Sequence, residues 1–498
     1  MKARTLDPHL SKSRLLSAWQ CPKRLHLEQY HPELGETSSG REALFATGNQ
    51  VGAIARDLYG NNDSIEIPYD KGLTAALAQT TQLLTSNFHQ PLFEATLQHD
   101  GVLVCVDVLL PDGDHWRAIE IKASASVKDV HIIDCAIQYW VLRGEGVELS
   151  SISLGHINNQ FVYQGDGNYG GLIIEEDVTE RVIERLHEVP ELIIKARAAL
   201  SGGVPEVAVG AHCSSPYDCQ FQSHCWPMDT EYPLTGLRGG KDKLGALVAA
   251  GYRDIRDLGP ATDELSSIQK RIYRVTCTGE AEVRDGARQA IAALAFPRYY
   301  LDFETIAPAV PIWAGTRPYA AAAVQWSCHI EEADGEIRHE EFLDLSSEPP
   351  MRALAESLIA CLGTDGPVLM YTNYERTVIN GLARLFPDLA AALRAIADRL
   401  VDLYPIVKNH YYHPKMLGSW SIKAVLPAMV PGMSYAGLEG INEGMGAADG
   451  YLEEINPATD TSRKQELEEQ LLRYCRFDTE AMVEIVRFFS GPAEFGNT

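Results

Sequence analysis

Three sets of side chains in this sequence have the types and spacing that chemistry needs. In "VLVCVDVLLPDGDHWRAIEIKA" strand alternation puts Asp107 on one face with Cys105 and Leu109. It puts Glu120 and Lys122 on one face and Ile119 and Ile121 on the other. The "PDGD" turn folds the two stretches into a hairpin that brings Asp107, Glu120 and Lys122 together. Two carboxylates can hold a divalent ion, and a nearby ammonium can stabilise a phosphate or help generate hydroxide. In "YYLDFET" Asp302 and Glu304 share a strand face, with Leu301 and Phe303 opposite. In "LLRYCRFDTEAMVEI" Tyr474 and Asp478 share a helix face. The third set is thiol: "HCSSPYDCQFQSHCW" carries Cys213, Cys219 and Cys225 in a polar, loop-like segment. In a reducing compartment such clustered thiols are metal ligands rather than disulfides. Cys105, Cys135, Cys277, Cys328, Cys361 and Cys475 lack such a context and read as packing residues.

Elements to position these groups can be read from periodicity. Residues 1–60 have helical spacing, 92–123 read as strands, and 126–143 as a helix carrying Gln138. "SGG" at 201–203 opens the irregular cysteine segment. Residues 231–295 read as a helical connector, in which "LVAAGYRDIRDLG" offers the alternative of a DNA-backbone-binding helix–hairpin–helix. A strand at 298–304 begins a second α/β region. Within it "VLMYTNYERTVINGLARLF" supplies Glu375, and "RLVDLYPIV" supplies Asp402, read as structural. The expected domains are therefore 1–230, 231–295 and 296–498, in an α/β chain.

With 45% hydrophobic and 22% charged residues, the composition is that of an ordinary soluble protein. No apolar run approaches the roughly 20 residues of a membrane span. The N-terminal stretch lacks the apolar core of a signal peptide, so a cytoplasmic location is expected. A formal charge of −25 argues against a general polyanion binder. It leaves room for an enzyme on nucleic acid whose divalent ions offset clustered carboxylates.

Asp107, the turn, Glu120-x-Lys122 and a following helix with Gln138 resemble the PD-(D/E)XK nuclease core of the RecB-like class. Leu142 stands where that class often has Tyr, and "ATGNQVGAIAR" offers no metal-binding His. "SKSRLLSAWQCPKRLHLEQY", with its Ser-x-Arg-Leu…Cys-Pro-Lys-Arg pattern, looks like the N-terminal element of CRISPR-associated Fe–S exonucleases and related helicase–nuclease subunits. That likeness implies Cys21 as a fourth ligand beside Cys213, Cys219 and Cys225, around a 4Fe–4S cluster. By count, four thiolates suit zinc equally. The Asp302/Glu304 strand and the Tyr474/Asp478 helix resemble the DEDDy branch of the ribonuclease-H-like exonucleases, with Glu375 where that family has Asp.

The arrangement as a whole is similar to a bacterial family joining an Fe–S PD-(D/E)XK domain to a DEDDy-like exonuclease domain. The resemblance implies a metal-dependent DNA nuclease with two hydrolytic centres, acting on single-stranded ends in DNA repair or defence. At the first, Asp107 and Glu120 would hold Mg²⁺ or Mn²⁺, Lys122 would stabilise charge and Gln138 would position substrate. At the second, Asp302, Glu304, Glu375 and Asp478 would hold metal and Tyr474 would orient water. RNA as substrate, or a nucleic-acid-binding scaffold with a degenerate second centre, are the alternatives.

Overall fold

The alternating run at 102–112 forms the strand Val102–Asp112, and the turn returns the chain as the antiparallel strand His115–Lys122. This hairpin is the middle of a seven-stranded mixed sheet in a computed structural model that describes residues 10–36, 39–86, 88–438 and 440–491. The architecture is α/β, in two units. The first comprises Met1–Trp226, Gly240–Ala249 and Pro308–Tyr319; the second comprises Pro227–Gly239, Ala250–Ala307 and Ala320–Thr498.

In the first unit the sheet runs Ile65–Glu66, Leu92–His99, Val102–Asp112, His115–Lys122, Leu149–Ile157, Ile173–Asp177. Leu10–Ser11 pairs alongside Val102–Asp112. His115–Lys122 and Leu149–Ile157 are parallel, so the chain needs a crossover, and the helix Asp129–Gly144 provides it. That helix is apolar almost all round, with Val130, Ile132, Ile133, Ala136, Ile137, Val141 and Leu142 buried. Its few polar side chains therefore have to be satisfied inside the fold.

Strand alternation breaks at one level of this sheet. Val102, Val104 and Val106 join Ala95 and Leu97 in the core with the crossover helix. One level on, Val108 and Phe93 belong to a separate cluster with Ile119. Between them stand Asp107 and Glu94, facing one another by the flanking pairs Ala95↔Val106 and Phe93↔Val108. Glu94 has φ +55°, a left-handed conformation that costs a non-glycine residue roughly 1–3 kcal/mol. The face expected to unite Asp107 with Leu109 is therefore interrupted: Leu109 packs in the larger core, while Asp107 and Cys105 line a cavity.

The second unit is built on a five-stranded sheet, in the order Ile337–Leu343, Ala322–Glu331, Arg298–Ile306, Val368–Met370, Leu400–Asp402. The first three strands are antiparallel, and the last two run parallel to the central one. The long helix Thr461–Ser490, capped by Asp460, packs on the central strand and on Ala322–Glu331. Its seating is polar as well as apolar. Gln325 Nε2 donates to Leu471 O at 3.0 Å, and Thr479 Oγ1 lies 3.0 Å from Ser327 Oγ and 2.8 Å from His329 Nδ1. Such a network fixes one register where an apolar face would allow several.

Residues 231–295 contain the helix Lys241–Ala249, the 3₁₀ run Ile255–Glu264, the helices Ser267–Thr278 and Gly286–Ala292 and the short strand Glu282–Val283. "LVAAGYRDIRDLG" spans the end of Lys241–Ala249 and part of the 3₁₀ run, without the paired α-helices of a helix–hairpin–helix.

Candidate functional site

The first acidic centre lies where the hairpin meets the crossover helix. By the register Val108↔Ile119, Asp107 stands level with Glu120, and Asp107 Oδ2 accepts from Ile121 N at 2.7 Å. Glu120 points toward the helix. Its Oε2 accepts from Gln138 Nε2 at 2.6 Å and its Oε1 from Lys122 Nζ at 2.5 Å. Two members of this centre escaped the sequence reading. Asp134 receives Lys122 Nζ at 2.6 Å and Gln138 Nε2 at 3.3 Å. Lys12 Nζ lies 2.7 Å from Glu120 Oε1 and 3.1 Å from Asp134 Oδ1. Asp134 was legible, one helical turn before Gln138 on the same face. For Lys12, no local pattern tells a reader where its ammonium ends up.

Charge in this centre is largely balanced. Burial pushes Asp134 upward, but the Lys12 and Lys122 ammoniums outweigh it and hold the carboxyl below its ordinary range. Asp107 lacks such direct pairing: burial, then the Glu120 charge, raise it to about 8. Its cavity, about 610 Å³, is also lined by Glu66, Glu94, Arg56, Thr96, Cys105 and Tyr69. Arg56 Nη1 lies 3.8 Å from Glu94 Oε1. Burial raises Glu94 as well.

The second centre is differently balanced. Asp302 and Glu304 from the central strand, Glu375 from the helix Tyr374–Leu385, and Tyr474 and Asp478 from the long helix line one cavity of about 390 Å³. Among the described residues lining it, Lys423 is the basic one. Its Nζ donates to Asn442 O at 2.6 Å and stands 5.1 and 5.3 Å from the Tyr435 and Tyr474 ring centroids. Tyr435 Oη donates to Asp478 Oδ1, and Tyr474 also favours the charged form of Asp478.

With so little compensation every carboxyl here is driven toward its neutral form. Burial and then Asp478, Glu304 and Glu375 raise Asp302 well above its ordinary value. Burial and Asp478 do the same to Glu304. Burial lifts Glu375 to about 8 and Asp478 to about 6. Glu375 Oε2 is buried without a hydrogen-bond partner. Asp402 does other work: its Oδ1 accepts from Tyr404 N at 2.8 Å and Thr372 N at 3.0 Å, capping the helix Leu403–His410. Cys475, read from sequence as a packing residue, is buried but belongs to this centre. Its sulfur lies 3.7 Å from Asp302 Oδ2.

All four expected thiols meet in the first unit. Cys21 sits at the joint between the helices Lys12–Gln20 and Pro22–Tyr30. It lines one small pocket with Cys213, Cys219, Cys225, Leu27, Phe221 and Val209. Gln20 Nε2 donates at 2.7 Å to both His212 O and Tyr217 O, tying the N-terminal helix to the cysteine segment. Burial raises the Cys219 and Cys225 thiols, while Arg24 and Lys23 respectively favour their thiolates.

A family model described as "Domain of unknown function (DUF2779)" matches residues 299–421, a stretch that includes Asp302, Glu304, Glu375 and Asp402. No curated protein and no solved structure matches the chain. Among the described residues no helix is long and apolar enough to cross a membrane.

Proposed function

We propose that this protein is a metal-dependent nuclease with two hydrolytic centres and an Fe–S cluster, acting on DNA ends. The observation that carries the reading is the second centre. Asp302, Glu304, Glu375 and Asp478 converge on one cavity, with Lys423 as the basic group among the described residues lining it. Burying uncompensated carboxylates together is costly, and divalent cations relieve that cost. Asp302, Glu304, Glu375 and Asp478 would hold the ions. When bound, the ions would activate water and offset charge on a phosphate. Tyr474, which lines the cavity beside Asp478, would orient the attacking water. A central carboxylate-bearing strand, flanked by antiparallel strands on one side and parallel ones on the other, supports the ribonuclease-H-like reading.

At the first centre Asp107 and Glu120 would take the metal. Lys122 would then turn from Glu120 to the phosphate, and Gln138 would hold Glu120 in place. The helix, antiparallel hairpin, crossover helix and parallel strand support the PD-(D/E)XK reading. Cys21, Cys213, Cys219 and Cys225, which line one pocket, would hold the cluster.

The test is hydrolysis of end-labelled DNA and RNA, with Mg²⁺ or Mn²⁺, by wild type, Lys122→Ala and Asp302→Ala. Loss of a separate activity in each variant supports the reading. Absence of metal-dependent turnover in wild type would leave a binding scaffold.

A further inference from the structure

The second centre contains a donor that a purely carboxylate site does not need. Cys475 precedes Asp478 by three residues on the helix Thr461–Ser490, so the two share a side of the helix. It is fully buried. Ligand atoms of Asp302, Glu304 and Cys475 all lie within 4.8 Å of one another, a spacing that no other His, Cys, Asp or Glu group among the described residues attains.

The key separation is that of the hydrogen bond that Cys475 Sγ donates to Asp302 Oδ2, 3.7 Å. An ion bound tetrahedrally, with oxygen at about 2.0–2.2 Å and sulfur at about 2.3 Å, spaces two such ligands by roughly 3.5 Å. The pair is therefore set at nearly the separation that a single ion spans. A second observation also points to a ligand. Glu375 Oε2 lacks a hydrogen-bond partner, and Glu375, only 3% exposed, lines the cavity that Asp302 and Glu304 line.

We infer that Cys475 is a metal ligand of the second centre, making one cation position a mixed oxygen–sulfur site for a thiophilic divalent ion of the zinc class. Hard Mg²⁺ gains little from sulfur, whereas Zn²⁺, Co²⁺ and Cd²⁺ gain a strong bond. On binding, the S–H bond breaks, the sulfur electron pair goes to the metal and the proton leaves to water, with no change of oxidation state. The inference deepens the nuclease reading by naming the ion class, and its test separates the two.

Full-length wild type, Cys475→Ser, Cys475→Ala and Asp302→Asn are titrated with Co²⁺ and followed by absorbance. The four-thiol pocket is present in all of them, so differences between them report Cys475. Wild type should show a sulfur-to-cobalt charge-transfer band in excess of both Cys475 variants, and Asp302→Asn should weaken that excess. Competition should show Zn²⁺ affinity falling in Cys475→Ser by more than the roughly 100-fold upper range that loss of an outer partner brings, with Mg²⁺ affinity unchanged. Identical spectra and zinc affinities in wild type and Cys475→Ser would overturn the inference, whatever the nuclease assays show. A lost band in a chain that hydrolyses no nucleic acid would uphold the site and sink the nuclease reading.

Discussion

Lys12 Nζ lies 2.7 Å from Glu120 Oε1, so the first described helix closes an ion pair onto the central hairpin. Glu120 is almost wholly buried, and the same Lys12 ammonium reaches Asp134 at 3.1 Å. Lys12→Met should therefore cost about 3 kcal/mol, the low end for breaking a buried pair. Saturating Mn²⁺ should recover part of the loss, because the cation replaces the missing charge. Urea unfolding with and without Mn²⁺ checks this, and an unchanged midpoint would mean that the pair contributes nothing.

Lys122 spans Glu120 and Asp134, at 2.5 and 2.6 Å. In the proposed nuclease its ammonium would transfer to a phosphate once metal occupied the carboxylates. Lys122→Ala should lower one metal-dependent DNA cleavage activity roughly hundredfold or more, with the thiol centre intact. Wild-type rates on every DNA substrate would remove Lys122 from the chemistry.

For the second centre, Asp302→Ala and Asp478→Ala should each abolish a 3′→5′ exonuclease activity that persists in Lys122→Ala. Tyr474→Phe should slow it less, since the ions keep their carboxylates. The polarity follows from the family resemblance stated for this half. Glu375→Asp shortens the side chain that carries the unpartnered Oε2 and should alter Mn²⁺ affinity. Equal degradation of 3′-ended strands by Lys122→Ala with and without Asp302→Ala would assign the second unit a binding role.

The thiol pocket joins Cys21 to Cys213, Cys219 and Cys225 across much of the first unit's sequence. Protein purified without oxygen should be brown, and Cys219→Ala should lose both the colour and stability of the first unit. Iron analysis decides the matter: stoichiometric zinc without iron would sink the cluster.

His329 and His339 lie beside the long helix, their rings tilted 42° with centroids 4.6 Å apart, and His339 Nε2 lies 2.9 Å from Ser327 Oγ. Burial lowers both to about 4; His339 and Arg476 add to the effect on His329, and Arg476 to that on His339. With folded values below the unfolded 6.5, the unfolded chain binds more protons between those limits. Their contribution is complete above pH 6.5 and is lost as pH falls toward 4, on the order of 1–3 kcal/mol. Unfolding midpoints at pH 7 and pH 5 should differ more in wild type than in His339→Gln. Equal differences would rule out the pair as the cause.

Periodicity and turn residues made the local frame legible. The Val102–Asp112 hairpin, the Arg298–Ile306 strand and the Thr461–Ser490 helix all lie where alternation and helical spacing put them. Strand period two also placed Glu120 with Lys122, and helix period four placed Tyr474 with Asp478. These relationships depend only on backbone geometry between near neighbours, which the sequence itself encodes. The rest depended on which surfaces the chain brings together. A kink at the Glu94/Asp107 level turned Asp107 away from Leu109, something no alternation rule anticipates. Lys12 closes on Glu120 across 108 positions, and Cys475 meets Asp302 across 173. Taken locally, a lysine on a helix reads as a solvated face and a buried cysteine as packing. Their roles came from the electrostatics of an enclosed site, where each carboxylate must find a cation or give up its charge, and only tertiary structure decides which partner it meets.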